Sequence, residues 1–358
     1  MQLKSIKLEN FRNYKKLDIK LDPANNLNLF IGDNAQGKTN FLEAITVLSL
    51  AKSFRIPKHD SLIMWDEEYA RIVGQFDDTE LEFFVSVKPK KQKNLKKNGV
   101  NVQVKDFIGQ LNIVLFHPED LNILYLSPSL RRQYLNTILS QTDPIYFDAL
   151  VQYNRLLKHR NKTLFLITES KATKDELNVW DEKLAEYGSY IYQKRLELVQ
   201  FFNKPCADNY NKIANSEENV KLSYTCSFKD PLTEKEDYLD ALHENRESDI
   251  AYQRTRKGIH RDDLEIYFNN HNVFDFASRG EMRTLIIALK LSEIEFIEAQ
   301  TGRKPILLLD DVFSELDINR QKFLLDAIKN YQSFITTTHH DFVVPEGSKV
   351  HEISDGTM

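Results

Sequence analysis

The chain has 358 residues, a length that allows two or three domains. Apolar residues make up 41% and charged residues 28%, with 48 Lys+Arg against 53 Asp+Glu for a formal net charge of −5; a protein basic over its whole surface is excluded, a local basic face is not. Cys206 and Cys226 give neither a disulfide framework nor a Cys-x-x-Cys zinc pair, and with no signal-peptide core and no apolar run of about 20 residues the expected setting is the cytoplasm, without a membrane.

Along the chain, the first 30 residues alternate in the strand period, with Ile6, Leu8, Leu17, Ile19 and Leu21 on one side, and LNLFIG (27–32) reads as a denser, buried strand. FLEAITVLSLA (41–51) predicts a helix after a glycine-containing turn. ARIVGQF, LEFFVSV and VNVQV predict strands within 70–105, with Asn98-Gly99 as a hairpin turn, and LNIVLFHPEDL (111–121) predicts a strand entering a proline turn. Pro128 marks a helix start, and two longer helical stretches, about 144–168 and 174–214, suggest an antiparallel pair forming a short arm. The apolar stripe Leu177, Trp180, Leu184, Tyr187, Ile191, Leu198, Phe202 is expected to be packing surface only. Strands are expected again at 220–228 and 264–268, a helix over 281–300, and parallel-sheet strands in KPILLLDDVF (304–313) and SFITTTH (333–339).

Gly32-Asp33-Asn34-Ala35-Gln36-Gly37-Lys38-Thr39 fits GxxxxGK[ST] between a strand and a helix, the context in which backbone N–H groups wrap phosphates. In such a loop Lys38 reaches the β- and γ-phosphates of ATP and the Thr39 hydroxyl takes Mg²⁺. At Ala35 a methyl group is tolerated if φ is negative. ILLLDD (306–311) supplies the matching carboxylates: Asp310 emerges at the carboxyl edge to hold the Mg²⁺ shell, and Asp311 polarises the attacking water. The bland reading of that pair, a solvated acidic strand end, is the lesser one taken alone and recedes further beside the phosphate loop.

Ser278-Arg279-Gly280-Glu281-Met282-Arg283 opens a helix 240 positions after Lys38. An N-capped helix start is the bland reading. Beside a phosphate loop, it suggests a composite site in which the turn of one subunit caps the γ-phosphate bound by another.

The ordered set ENFRNY (9–14), GDNAQGKTNFLEAI (32–45), KSFR (52–55), LFHPEDL (115–121), SPSLRRQYLN (127–136), WDEKLAEYG (180–188), GIHRDDL (258–264), SRGEMRT (278–284) and LLLDDVFSELD (307–317) resembles the RecF family of recombinational-repair ATPases, in the ABC/SMC-like class. The resemblance implies an α/β fold: an ABC-type P-loop ATPase head with an inserted, largely helical second lobe and short antiparallel helical arms. Expected boundaries are 1–116 and 300–358 for the two parts of the ATPase lobe, with 117–299 as the second lobe.

The resemblance also makes Asp310 and Asp311 the Walker B pair, Ser278 to Arg283 the signature turn, and Ser314 to Asp317 the loop across a dimer seam. His339, beside His340, falls at the γ-phosphate-sensing switch, and Arg12, Asn13 and Tyr14 are expected to border the base or ribose. Arg279 departs from the family's usual Gln, and no glutamine stands in LFHPEDL for a Q-loop. The function implied is ATP-dependent binding of duplex and gapped or junction DNA by an ATP-induced homodimer, with slow, DNA-dependent hydrolysis and cooperation with RecR and RecO.

KPKKQKNLKK (88–97) adds a candidate DNA face at Lys88, Lys90, Lys91, Lys93, Lys96 and Lys97; no aromatics interleave, so backbone binding is expected. Smaller basic clusters lie at Arg131-Arg132, Lys158/Arg160/Lys162, Arg254/Arg256/Lys257 and Arg261. A transporter ATPase subunit is the first rival, disfavoured by the long spacing from Lys38 to Ser278. The absence of NKxD disfavours a GTPase, and a scaffold that binds ATP without turnover is disfavoured by the intact Asp310 and Asp311.

Overall fold

The amino-terminal alternation becomes the hairpin of β1 (Leu3–Phe11) and β2 (Tyr14–Lys20). A computed structural model describes residues 1–55, 58–228, 232, 234–338 and 348–353. They fall into two compact units, 1–121 with 208–216 and 279–358, and 122–207 with 217–278.

In the first unit, β1 and β2 join β4 (Tyr69–Phe76), β5 (Thr79–Ser86), β6 (Gln92–Lys97) and β7 (Val100–Asn101) in an antiparallel sheet of order β2-β1-β4-β5-β6-β7. Asn98 and Gly99 both take positive φ, 51° and 76°, and close the β6–β7 hairpin as the Asn-Gly pair predicts. VNVQV does not continue as a strand. Only its first two residues pair, and the chain turns into the short helix α2 (Val104–Phe107), whose Phe107 is buried.

A second sheet carries β3 (Leu27–Ile31), β8 (Ile113–Phe116), β12 (Ile306–Asp310), β13 (Ser333–Thr337) and β14 (Lys349–Glu352), all parallel, in the order β14-β3-β13-β12-β8. Every residue of β3, β12 and β13 is buried, which is why these strands read as continuous apolar runs. Helix α1 (Lys38–Leu50) packs on strands of both sheets and buries eleven of its thirteen residues. A helix enclosed on all sides has no polar face to show, so FLEAITVLSLA carries little amphipathic signal. Leu48 is fully buried in this core, and Gly74 lets it approach: a Cβ there would sit 2.6 Å from Leu48 Cδ1. Truncating Leu48 to Ala would cost about 2–5 kcal/mol.

Helix α10 (Arg279–Thr301) packs on β8 and counts with the first unit, not with the second lobe to which the 117–299 boundary assigns it. Its residues from Thr284 to Ile294 are all buried, Lys290 and Glu293 among them. Helix α11 (Ile318–Ile328) follows β12 and completes the unit.

The second unit is mostly helical: α3 (Asn122–Tyr125), α4 (Pro128–Thr142), α5 (Pro144–Thr168), most of α6 (Leu177–Ala214), α7 (Lys235–Glu244), α8 (Arg246–Ala251) and α9 (Val273–Phe276). Pro144 opens α5, and Asp143 caps it by accepting from Ile145 N and Tyr146 N. Contacts of Arg160 with Asp181 and of Asp143 with Tyr190 make α5 and α6 antiparallel, as the polar break near 168–174 predicts. Leu177, Leu184, Ile191, Leu198 and Phe202 are fully buried, so that stripe is core. A small antiparallel sheet, β9 (Val220–Thr225), β10 (Asp263–Phe268) and β11 (His271–Asn272), closes the unit.

Candidate nucleotide site

The parallel sheet places the site. Its central strand β13 lies between β3, which ends at the glycine-rich loop, and β12, which ends at Asp310. Ligands bind beyond the carboxyl ends of such strands. The loop is braced from beneath by the residues after β1. Asn13 Nδ2 donates to Gln36 O at 2.9 Å, Tyr14 OH to Gly37 O at 2.9 Å, and Asn40 Nδ2 to Asn13 Oδ1 at 2.8 Å. Gly37 has φ 115°, and a Cβ there would lie 2.6 Å from Asn13 Nδ2 and 3.0 Å from Tyr14 OH. Asn13 and Tyr14 therefore shape the loop, beyond the expected contact with base or ribose. The Arg12 guanidinium is committed elsewhere, bidentate to the fully buried Glu43 at 2.7 and 2.8 Å and donating to Ser61 O at 2.7 Å.

Lys38 folds back over the loop. Its ammonium donates to Gly32 O at 2.5 Å and Asp33 O at 2.7 Å. Burial lowers its pKa, while Asp311, Asp310 and Asp33 oppose that shift. Gly32 is required by a close approach: a Cβ there would sit 2.4 Å from Ile353 O. Ala35 takes φ 69°, so the tolerance expected from a negative φ does not apply, and its methyl group sits in the left-handed region.

Thr39 Oγ1 donates to Asp310 Oδ1 at 2.8 Å, and Thr336 Oγ1 donates to the same oxygen at 2.9 Å. Asp311 has φ 50°; its N–H faces Thr336 Oγ1 at 3.0 Å and Thr336 O at 3.2 Å. Asp311 Oδ1 is buried without a hydrogen-bond partner among the described residues. A hydroxyl and a carboxylate in contact, beside a free carboxylate oxygen and a desolvated ammonium, are a donor set suited to a triphosphate with a hard cation. The residues present fit ATP and Mg²⁺.

Two residues that sequence reasoning left without a role are placed by the fold, one at this cluster and one beside the turn that opens α10. His117 Nε2 lies 3.7 Å from Asp310 Oδ2, with Phe54 edge-on to its ring. The pairing of Phe116 with Leu309 sets His117 beside Asp310, so the strand register was the available signal. His117 is in turn tied to Asp120, whose Oδ2 accepts from His117 N at 2.8 Å and whose Oδ1 lies 3.7 Å from Lys290 Nζ on α10. Arg320 is the second. Its side chain pairs with Asp317, Nε donates to Thr284 Oγ1 at 2.9 Å, and Nη2 to Gly280 O at 3.5 Å. The first turns of α10 and the Asp317 segment are thereby tied together. Ser278 and Ser314 are exposed, Glu281 half-buried. His339 and His340 lie outside the described residues.

The six hairpin lysines are largely engaged within the fold. Lys88 meets Glu68 at 3.4 Å, Lys96 meets Glu82 at 2.8 Å, and Lys91 pairs with Asp60. Lys97 donates to Gln110 Oε1 and Lys93 to Ala51 O, each at 2.7 Å. Burial pushes the Lys93 ammonium down to about 8. Lys90 alone of the six has no partner for its ammonium among the described residues.

Parallel-sheet head, phosphate loop, aligned carboxylates and signature helix define an ABC/SMC-type P-loop ATPase head. Residues 2–357 match the sequence family described as RecF/RecN/SMC N terminal domain. The chain is 38% identical over its full length to the DNA replication and repair protein RecF of Clostridium perfringens strain SM101, covering 99% of that protein, and 40% identical to that of Streptococcus agalactiae serotype V, covering 98%. A solved structure of the recombination mediator protein RecF with ATP, in the RecFOR pathway, superposes with TM-score 0.91 at 37% identity, covering 99% of this chain and 96% of that one. An Smc head domain from Pyrococcus furiosus shares the fold, with TM-score 0.55 at 16% identity over 99% of this chain and 94% of that one. The chain belongs to the RecF family.

Proposed function

We propose that this chain is an ATP-dependent DNA-binding protein of replication and recombinational repair. It acts on gapped and junction DNA as an ATP-induced homodimer, hydrolyses ATP slowly and in response to DNA, and works with RecR and RecO. The observation that carries the reading is the joined Thr39, Asp310 and Asp311 cluster, with one buried carboxylate oxygen left unpartnered among the described residues. Relatives named for DNA replication and repair, and ATP-bound RecF structures placed in the RecFOR pathway, support it.

In this reading the loop Gly32–Thr39 wraps the phosphates, and Lys38 exchanges the carbonyls of Gly32 and Asp33 for phosphate oxygens. Thr39 and Asp310 would hold Mg²⁺, which would supply neutralisation of phosphate charge. Asp311 presents its free oxygen to the attacking water and orients it. Ser278, Gly280 and Glu281, together with Asp317, which Arg320 ties to Gly280, address the nucleotide of the partner copy. Because a working site requires both copies, turnover is slow and clamp opening follows hydrolysis.

Light scattering with Mg²⁺ and a slowly hydrolysed ATP analogue tests this. The protein is expected to shift from monomer to dimer with nucleotide. Lys38→Met abolishes nucleotide binding and the shift, whereas Ser278→Arg keeps nucleotide binding and loses the shift. A Ser278→Arg variant that dimerises normally would refute the composite site. A wild-type protein that stays monomeric yet hydrolyses ATP would reduce the reading to a single-head enzyme.

A further inference from the structure

In the second unit, the segment 251–261, AYQRTRKGIHR, holds four Lys and Arg residues and no acid. It is built as a rigid loop. Asp249, fully buried, accepts from Arg256 N at 2.9 Å and from Arg160 Nη1 at 2.6 Å, and Arg160 Nη1 also donates to Thr255 Oγ1 at 2.8 Å. Asn161 Oδ1 accepts from Thr255 N at 2.8 Å. His260 bridges Tyr153 OH at 2.9 Å and Thr255 O at 3.1 Å. Gly258 has φ 128°, and a Cβ there would strike the hydroxyls of Tyr153 and Tyr238 at 2.5 and 2.6 Å.

The scaffold is buried, but the cations it carries are not. Arg254, Arg256 and Arg261 are exposed. Arg256 lies over the ring of Tyr252 at 4.3 Å, which is itself 58% exposed, and donates to Ser248 Oγ. The guanidinium groups of Arg254 and Arg261 have no carboxylate partner among the described residues. The nearby acids are already engaged: Asp249 is buried against Arg160, Asp262 accepts from Tyr224 and Ser227, and Asp263 is bidentate to Arg131.

Helix α5 extends this charge. Asn161 and Thr168 on α5 bond Thr255 and Gln253 of the loop, so the two elements share one surface. Arg155, Lys158 and Lys162 are exposed at helical spacing, and no acid occurs on α5 after Asp148. From 155 to 162 the face runs about 10 Å along the helix, a length that spans about three phosphates of one strand at about 3.4 Å of axial rise each. The hairpin lysines differ, since three of the six face carboxylates.

We propose that the rigid loop Tyr252–Arg261 and the Arg155, Lys158, Lys162 face of α5 form a site for the phosphodiester backbone of duplex DNA. The inference rests on the DNA-binding reading above and assigns the contact to the second unit. Arginines fixed by a scaffold suit phosphate oxygens, and Tyr252 holds Arg256 in place without reading a base. An acidic protein surface is the rival ligand. It lacks the regular spacing of charge that a duplex offers to two adjoining elements.

The test is fluorescence anisotropy of a gapped duplex with the full chain, in Mg²⁺ and a slowly hydrolysed ATP analogue, across a series of KCl concentrations. The Arg254→Ala/Arg261→Ala variant is expected to lose about tenfold or more in affinity, uniformly across DNA sequences, and to lower the salt slope by about 2. Its melting temperature should be unchanged, because both side chains are exposed. Arg155→Ala/Lys162→Ala should act in the same direction. Wild-type affinity and slope in both variants would overturn the site and leave the DNA-binding reading standing. Wild-type protein that fails to bind DNA with nucleotide would overturn both. Lost affinity with an unchanged salt slope would overturn the phosphate assignment.

Discussion

Gly37 and Ala35 both sit at positive φ in the phosphate loop, yet for different reasons and with different consequences. At Gly37 the left-handed φ of 115° coincides with side chains 2.6 to 3.0 Å from where a Cβ would stand. Gly37→Ala is therefore expected to push Asn13 and Tyr14 off the loop and weaken ATP binding by about tenfold or more. At Ala35 the methyl group carries only the intrinsic cost of the left-handed region. Ala35→Gly relieves about 1–2 kcal/mol of strain and returns about 0.5–1 in chain entropy, so nucleotide affinity should stay within about twofold. Titration of a fluorescent ATP analogue separates the two; equal effects would mean that the brace under Gly37 is unimportant. The loop's place between β3 and α1 was legible because its glycine pattern is written in eight consecutive residues. Its brace was not, since Asn13 reaches Gln36 across 23 positions of chain.

Among elements, the loop between α8 and β10 couples a pH response to its rigidity. Burial pushes His260 down to about 4 from an ordinary value of 6.5. Below its ordinary value the unfolded chain takes up a proton that the folded loop refuses. The stability held by neutral His260 is thus full above about pH 6.5 and lost as the pH falls toward about 4. Burial raises the pKa of Asp249 and Asp262, which titrate with the opposite sign, so the expectation concerns a difference. His260→Gln should flatten that part of the melting-temperature profile between pH 4 and 6.5 that wild type shows, by up to about a few kcal/mol at the acid end. Parallel profiles for the two proteins would refute it. Sequence periodicity located the helices and buried strands well where burial is one-sided or complete, as for α5, α6, β12 and β13. It failed at VNVQV, where Phe107 drew the chain into α2, and it could not tell that α10 packs on β8. The lysine run shows the same limit, because its neutralising partners Asp60, Glu68 and Glu82 come from other parts of the chain.

At the scale of the whole molecule, a net charge of −5 means that the polyanion binding proposed above would need a local basic surface, and that a second copy would be recruited by something other than net charge. Nucleotide is that recruiter in the reading proposed above, and linkage gives it a signature separate from turnover. A ligand bound to one head raises stability by an amount that depends on ligand concentration alone, while a ligand that glues two heads makes the melting temperature depend on protein concentration as well. Wild-type protein in saturating Mg²⁺ and slowly hydrolysed ATP analogue should therefore melt higher as its concentration rises, by about 1.4 kcal/mol of apparent stability per tenfold increase for each dimer formed. Lys38→Met should show neither shift. Ser278→Arg should keep the nucleotide-dependent rise, because Lys38, Thr39 and Asp310 are intact, and lose the dependence on protein concentration. A melting temperature that rises with nucleotide but is indifferent to protein concentration in wild type would mean that each head closes on ATP alone. The Arg320 link between Asp317 and Gly280 would then serve the fold of a single head and not a seam between two.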